Sequence, residues 1–289
     1  MFNAYGKGRG RANETLEPDA CPPYFEIMYA SVLSVALVGG QARSVRVEAH
    51  VGGTNNVFRL SGLPDTALRE AKDRVRAAVT SSGIEFPRRE LVVNLAPADL
   101  RKQGSDYDLP IALAILAADR RIEVMPAMVA AGELALDGDL RSSGNALAAS
   151  VLGARLGLPT LVAQEPAGRV ATVEGSRVFA PGDLREAIEL VADGLISEPM
   201  KPDIGSIAES EVPDLTDVAG QAIARRALEI AAAGGHHLLL HGPPGAGKTM
   251  LAQRMPGILP RLRPAEAVEV ALIRSNAGIG EELSAVPPI

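Results

Sequence analysis

His241-Gly242-Pro243-Pro244-Gly245-Ala246-Gly247-Lys248-Thr249 is the stretch on which the reading of this chain turns. It fits the pattern G-x-x-x-x-G-K-[ST]. Gly242, Gly245 and Gly247 allow a backbone bend that other residues resist, and Pro243, Pro244 and Ala246 fill the positions between them. Such a bend aims successive N–H groups at one anion, and a helix opening at Lys248 would add its positive end. The Lys248 ammonium is then placed for the outer phosphates of a nucleoside triphosphate, and the Thr249 hydroxyl for one site on Mg²⁺. The pattern therefore implies ATP or a close relative, with Mg²⁺, as cofactors.

Its surroundings agree. Leu238, Leu239 and Leu240 lead in as an apolar run, so a strand is expected over residues 237–241 and a helix over 248–255. A further helix is expected over 220–233, ended by Gly234 and Gly235. Residues 196–212 carry Pro and acidic side chains with no apolar period and read as a linker. The phosphate-loop module thus runs over 213–289.

Ahead of the linker, residues 28–195 read as an α/β domain. Strands are expected over 28–38, 44–51, 57–60, 91–95, 129–134 and 160–163. Helices are expected over 64–81, 109–118, 146–156 and 184–192. The first of these helices shows Leu68, Ala71, Val75, Ala78 and Val79 at helical spacing. Strands alternating with helices define the class. Residues 1–27, with six Gly and Pro and no period, are expected to be a disordered arm.

Composition narrows the partners. Lys+Arg number 29 against Asp+Glu 35, a net charge of -6, which argues against an overall electrostatic grip on nucleic acid. Aromatics make up only 3%, which weakens any mode based on base stacking. A local basic surface is conceivable around Arg69, Lys72, Arg74 and Arg76, with Arg88 and Arg89 beyond. Glu70 and Asp73 interrupt it, so an ordinary charged helix face competes with nucleic-acid contact. A single cysteine, Cys21, allows no intramolecular disulfide and fits a reducing, cytoplasmic setting. No apolar run is long enough to span a membrane, and no membrane partner is expected. His50, His236 and His237 form no zinc-ligand spacing.

Two groups of motifs carry a resemblance. Asp217-Val-Ala-Gly-Gln221, the helix reading Ala-Arg-Arg-Ala-Leu-Glu-Ile, and the phosphate loop resemble the magnesium-chelatase-like branch of the AAA+ ATPases, in its ComM/YifB competence-helicase family. Ser61-Gly-Leu-Pro-Asp65, Val93-Asn-Leu-Ala-Pro-Ala-Asp-Leu100, Asp108-Leu-Pro-Ile-Ala-Leu113 and Gly132-Glu-Leu-Ala-Leu-Asp-Gly-Asp-Leu140 resemble that family's N-terminal Lon-protease-like domain. The resemblance implies an α/β Lon-like domain over 28–195, followed by the first part of an AAA+ domain. It implies a hexameric homo-oligomer that moves DNA with ATP, branch migration being the usual role. It also places Asp217, Gly220 and Gln221 beside the nucleotide, although the same residues suit helix-entry chemistry. A chelatase-type ATPase subunit and a nucleotide-binding adaptor are the competing readings.

Two departures limit what carries over. A second carboxylate following an apolar strand is needed to hold Mg²⁺ and orient water for hydrolysis. Glu266 and Glu269 fall in an expected helix instead, so binding without efficient turnover is the expectation, with no catalytic residue assigned. Peptidase chemistry of the Lon type needs a serine activated by lysine. Matching the family's loop puts Asp106 where the serine would stand, one residue from Ser105, and Leu147 where the lysine would stand. No lysine occurs between 103 and 200. Lys102 is left as a solvated loop residue or a contact to DNA phosphates or a neighbouring subunit.

Overall fold

In the computed structural model the described residues are 28–203 and 212–288, apart from Leu63, Pro64, Arg101, Gln103 and Ser143. The expected arm at 1–27 and residues 204–211 of the expected linker lie outside them. Fold class follows the expectation of α/β. Seven strands form one sheet in the order β3-β4-β2-β1-β5-β8-β9. Its members are β1 (Met28–Val38), β2 (Gln41–Gly52), β3 (Phe58–Ser61), β4 (Glu90–Ala96), β5 (Val129–Ala130), β8 (Thr160–Leu161) and β9 (Val178–Phe179). β2 pairs antiparallel with β1 and β4, and every other pairing is parallel.

β1 and β2 form the spine, a hairpin paired from Met28↔Val51 to Val38↔Gln41 and turned by Gly39 and Gly40. Both glycines hold positive φ, 58° and 74°, as a two-residue hairpin turn demands. The two-residue period of β1 then sorts its side chains. Val32 and Ala36 enter one core, with α1 (Thr66–Ser81), α2 (Asp108–Ala118) and α5 (Leu184–Ala192). Leu33, Val35 and Leu37 enter the other, with α3 (Ala146–Leu156) and α4 (Gln164–Val170). Helices thus cover both faces, which explains why α2 is apolar all round: from Leu109 to Leu116 every residue is buried.

The run expected as one strand at 129–134 divides. β5 keeps Val129 and Ala130 in the main sheet. Gly132 then leaves it to accept from the Leu109 amide and donate to the Asp106 carbonyl (3.1 and 2.9 Å), closing the start of α2. β6 (Glu133–Leu134) pairs instead with β7 (Leu140–Arg141) in a small second sheet. Local alternation gives no sign of this exit, because the Asp106 and Leu109 backbone groups that draw Gly132 away lie more than twenty residues earlier.

The module after the linker holds a 3₁₀ turn at Leu215–Asp217, α6 (Ala222–Gly234), α7 (Lys248–Ala252), α8 (Met255–Ile258) and α9 (Pro264–Asn276). Its core is small: Leu215, Val218, Leu228 and Leu251, flanked by Leu240, Met250, Met255 and Ile258. Two expectations are corrected here. Residues 237–241 join no ladder among the described residues, and Leu239 is 89% exposed. An apolar run becomes a strand only when a partner takes its amides and carbonyls. The helix expected over 248–255 breaks into α7 and α8, because Pro256 cannot donate to the Ala252 carbonyl and its ring crowds that turn.

α9 packs against α3 and β1 of the first domain. Ala271, Leu272 and Leu283 enter the same core as Val35 and Leu147.

Candidate functional site

The loop from Gly242 to Gly247 is built on alternating backbone hands. Gly245 and Gly247 hold φ at 79° and 76°, while Ala246 between them keeps negative φ and Lys248 enters α7. That alternation is the conformation in which neighbouring N–H groups converge on one anion. A side chain at Gly247 would lie 2.7 Å from Gln221 Nε2, whereas one at Gly245 would meet nothing within 4 Å. The loop is therefore closed on its Gln221 side and open at Gly245. Pro243, Pro244, Gly245, Ala246 and Thr249 are exposed.

Lys248 curls into this loop. Its Nζ donates to the carbonyls of Gly242 (2.9 Å) and Pro243 (2.7 Å). The ammonium thereby sits at the loop's own curve rather than in solvent. A polyphosphate oxygen would compete directly with these two neutral acceptors, and charge favours the phosphate. The glycine cradle, the ammonium and the exposed Thr249 hydroxyl fit a magnesium nucleoside triphosphate.

Gln221 lies against the loop, its Nε2 donating to the Ala246 carbonyl at 3.4 Å. It occupies the position before α6 with φ 51°, preceded by Gly220 at 70°, so the chain reverses here to bring the side chain across. Asp217 is placed elsewhere: its carboxylate pairs with Arg254 at 3.6 Å. Arg254 also donates to the carbonyls of Asp214 (3.0 Å) and Met250 (2.9 Å), tying the end of α7 to the 3₁₀ turn. Glu266 receives the Arg263 amide and guanidinium at the start of α9, and Glu269 is exposed.

In the first domain, the loop at 102–108 forms a buried polar cluster. The Asp106 carboxylate accepts from the Asn145 side chain (2.7 Å) and amide (3.2 Å). Ser105 donates to Glu133, whereas the Lys102 ammonium is buried and donates to the Pro97 carbonyl. Burial lowers the Lys102 pKa, with the nearby Asp99 charge opposing it. Serine and lysine thus serve different partners, and Leu147 is fully buried among apolar neighbours. Neither a solvated Lys102 nor one reaching DNA or a second subunit agrees with this burial.

The basic surface around α1 also dissolves into local partnerships. Arg74 Nε and Nη2 clasp Asp108 at 2.6 and 3.0 Å, and Asp108 is fully buried. Burial raises the Asp108 pKa to about 6, against the opposing pull of the Arg74 hydrogen bonds and charge. Lys72 and Arg76 lie over the rings of Phe58 and Phe86, at 5.8 and 5.1 Å from their centroids. Arg88 stands 3.7 Å from Glu85, and the side chain of Arg69 lies outside the described residues. Spacing along the chain offered no signal for Arg74–Asp108, whose members are 34 residues apart. No described helix is long and apolar enough to cross a membrane.

Comparison with known proteins places both halves in one context. Residues 47–165 match a family model described as subunit ChlI of Mg-chelatase, and residues 214–288 one described as magnesium chelatase, subunit ChlI. The chain is 42% identical over 249 residues to the uncharacterized protein YifB of Salmonella typhimurium, covering 85% of this chain and 49% of that one. It is 40% identical over 242 residues to YifB of Escherichia coli (83% and 48%). It is 37% identical over 252 residues to the competence protein ComM of Haemophilus influenzae (85% and 50%). The chain spans about half the length of the curated relatives it matches.

Proposed function

Because the chain belongs to the magnesium-chelatase-like family of YifB and ComM, we propose that it binds ATP with Mg²⁺ at the loop from Gly242 to Thr249. The observation that carries this reading is the Lys248 ammonium turned onto the Gly242 and Pro243 carbonyls inside a loop of positive-φ glycines. In this reading the loop amides and Lys248 hold the phosphates, Thr249 takes one position on the metal, and Gln221 braces the loop from behind. Bound Mg²⁺ would neutralise charge on the outer phosphates. Asp217 acts at one remove, by fixing Arg254 and so the end of α7.

A wider proposal rests on the resemblance to the competence-helicase family: within a complete protein, this nucleotide site drives a homo-oligomeric motor on DNA. An N-terminal Lon-like domain over 28–195, without peptidase chemistry, and an AAA+ module from 213 are part of the same proposal. A chelatase-type ATPase subunit is the second reading, favoured by the description of both matching family models.

Titrating a fluorescent ATP analogue into the chain with Mg²⁺ tests the binding site. Lys248→Ala should weaken binding by about tenfold to a hundredfold, the loss expected for charge-assisted hydrogen bonds of about 1.5–3 kcal/mol. Unchanged affinity in this variant would remove the assignment. Stimulation of hydrolysis by forked DNA in the full-length relative context favours the motor, and stimulation by a porphyrin favours the chelatase.

A further inference from the structure

The segment after the phosphate-loop helices does not stay with its own module. α9 and the turn beyond it cross to the first domain and meet the loops at 104–107 and 144–145 and the start of α3; Asp106 and Leu147 there hold the positions where a Lon-type peptidase would carry its reactive groups. Ala271, Leu272 and Leu283 are buried there against Val35, Ala42 and Leu147. Ser275 Oγ donates to the Gly144 carbonyl at 3.1 Å, and the Leu147 amide at the start of α3 donates to Glu281 Oε2 at 3.4 Å. Between segment and domain lies a cleft of about 410 Å³, lined by Gly104, Asp106, Asn145, Ser275 and Glu281 among others.

Glu281 is the polar group at this seam. Its Oε1 is buried with no hydrogen-bond partner among the described residues, as is Arg169 Nε. The charged groups facing it are Asp106, from the loop before α2, and Arg169, from α4; Ser275 lies beside it on α9. An ionised Glu281 therefore meets one like charge and one opposite charge, with its Oε1 out of reach of solvent.

We propose that residues 264–283 form a detachable clasp over this cleft, and that the charge on Glu281 decides whether the clasp stays closed. The apolar contacts of Ala271, Leu272 and Leu283 supply the grip. Neutral Glu281 is tolerated in the seam; ionised Glu281 gains hydration by leaving it. Burial above all, with Asp106 adding to it, raises the Glu281 pKa to about 7, against the Leu147 amide, Arg169 and Ser275. The sign follows from linkage. A carboxyl raised on docking favours the docked form at low pH, and that advantage is lost as pH rises through about 7. Release would expose the Asp106–Asn145 cleft and free the segment that directly follows the proposed nucleotide site.

Hydrogen exchange on the full chain, without nucleotide, tests the clasp independently of the ATP assignment. Between about pH 5.5 and about pH 8, and after correction for intrinsic exchange rates, protection of α9 should fall on the order of tenfold while β1 and β2 hold theirs. Glu281→Gln keeps the size and the acceptor but cannot ionise, and should hold α9 protected at both values. The proposal is overturned if wild-type α9 protection does not change with pH, or if Glu281→Gln follows the wild-type course.

Discussion

The pair of Arg74 and Asp108 shows how a single residue's partner decides its meaning. In the sequence Arg74 belonged to a basic helix face and Asp108 to a helix start. Folded, the two make a bidentate ion pair with Asp108 fully buried and Arg74 19% exposed. Removing one member of a buried pair leaves the other charge without compensation, at a cost of about 3–5 kcal/mol. Arg74→Ala should lose about that much in urea unfolding near pH 8. The loss should shrink near pH 5, where Asp108 takes up a proton and no bare carboxylate remains. An equal loss at both values would show that packing, not charge, is the contribution of Arg74. The phosphate loop is the opposite case: its residue types sit side by side, so the motif is legible without any knowledge of the fold. Gln221 entered the sequence reading through resemblance, and its contact with the loop depends on a reversal at Gly220 that spacing does not announce.

At the scale of elements, the long hairpin strands and the helices α1, α3 and α5 were legible because each carries its own apolar period, and α2 because its apolar run is unbroken. α4, with Pro166 and Gly168 inside it, and the two-residue strands β7 and β9 carried none. Their existence depends on neighbours: β9 is held by β8, and β7 by β6. Gly153 in α3 marks one such dependence. A methyl group there would lie 2.1 Å from Thr160 Oγ1 and 3.0 Å from the Leu158 carbonyl, because β8 crosses the helix at this point. Helix propensity alone would reward Gly153→Ala by about 1 kcal/mol. The approach of β8 should reverse that sign, giving a net destabilisation of about 1–3 kcal/mol by chemical denaturation. A stabilised variant would mean that helix and strand are not in close contact.

At the scale of the molecule, two carboxyl groups, the buried Asp108 and the half-buried Glu281, act in the same direction. Asp108 is raised to about 6 and Glu281 to about 7, from ordinary values of 3.8 and 4.5. Each contributes stability that is complete below its unfolded value and lost as pH rises through its folded one. The melting temperature should therefore fall between about pH 5 and about pH 8, and Glu281→Gln should flatten part of that slope in a calorimetric scan. A melting temperature that rises over this interval would contradict the raised pKa of both groups. The docking of α9 on the first domain could not be read from the sequence, since its apolar residues would serve a core in its own module equally well. One last consequence concerns residues 237–241. With Leu239 almost wholly in water and the flanking amides outside any ladder among the described residues, this stretch is a ready template for a strand from another molecule. Concentrated solutions of the chain should accordingly grow cloudy, and a charged residue in place of Leu239 should keep them clear.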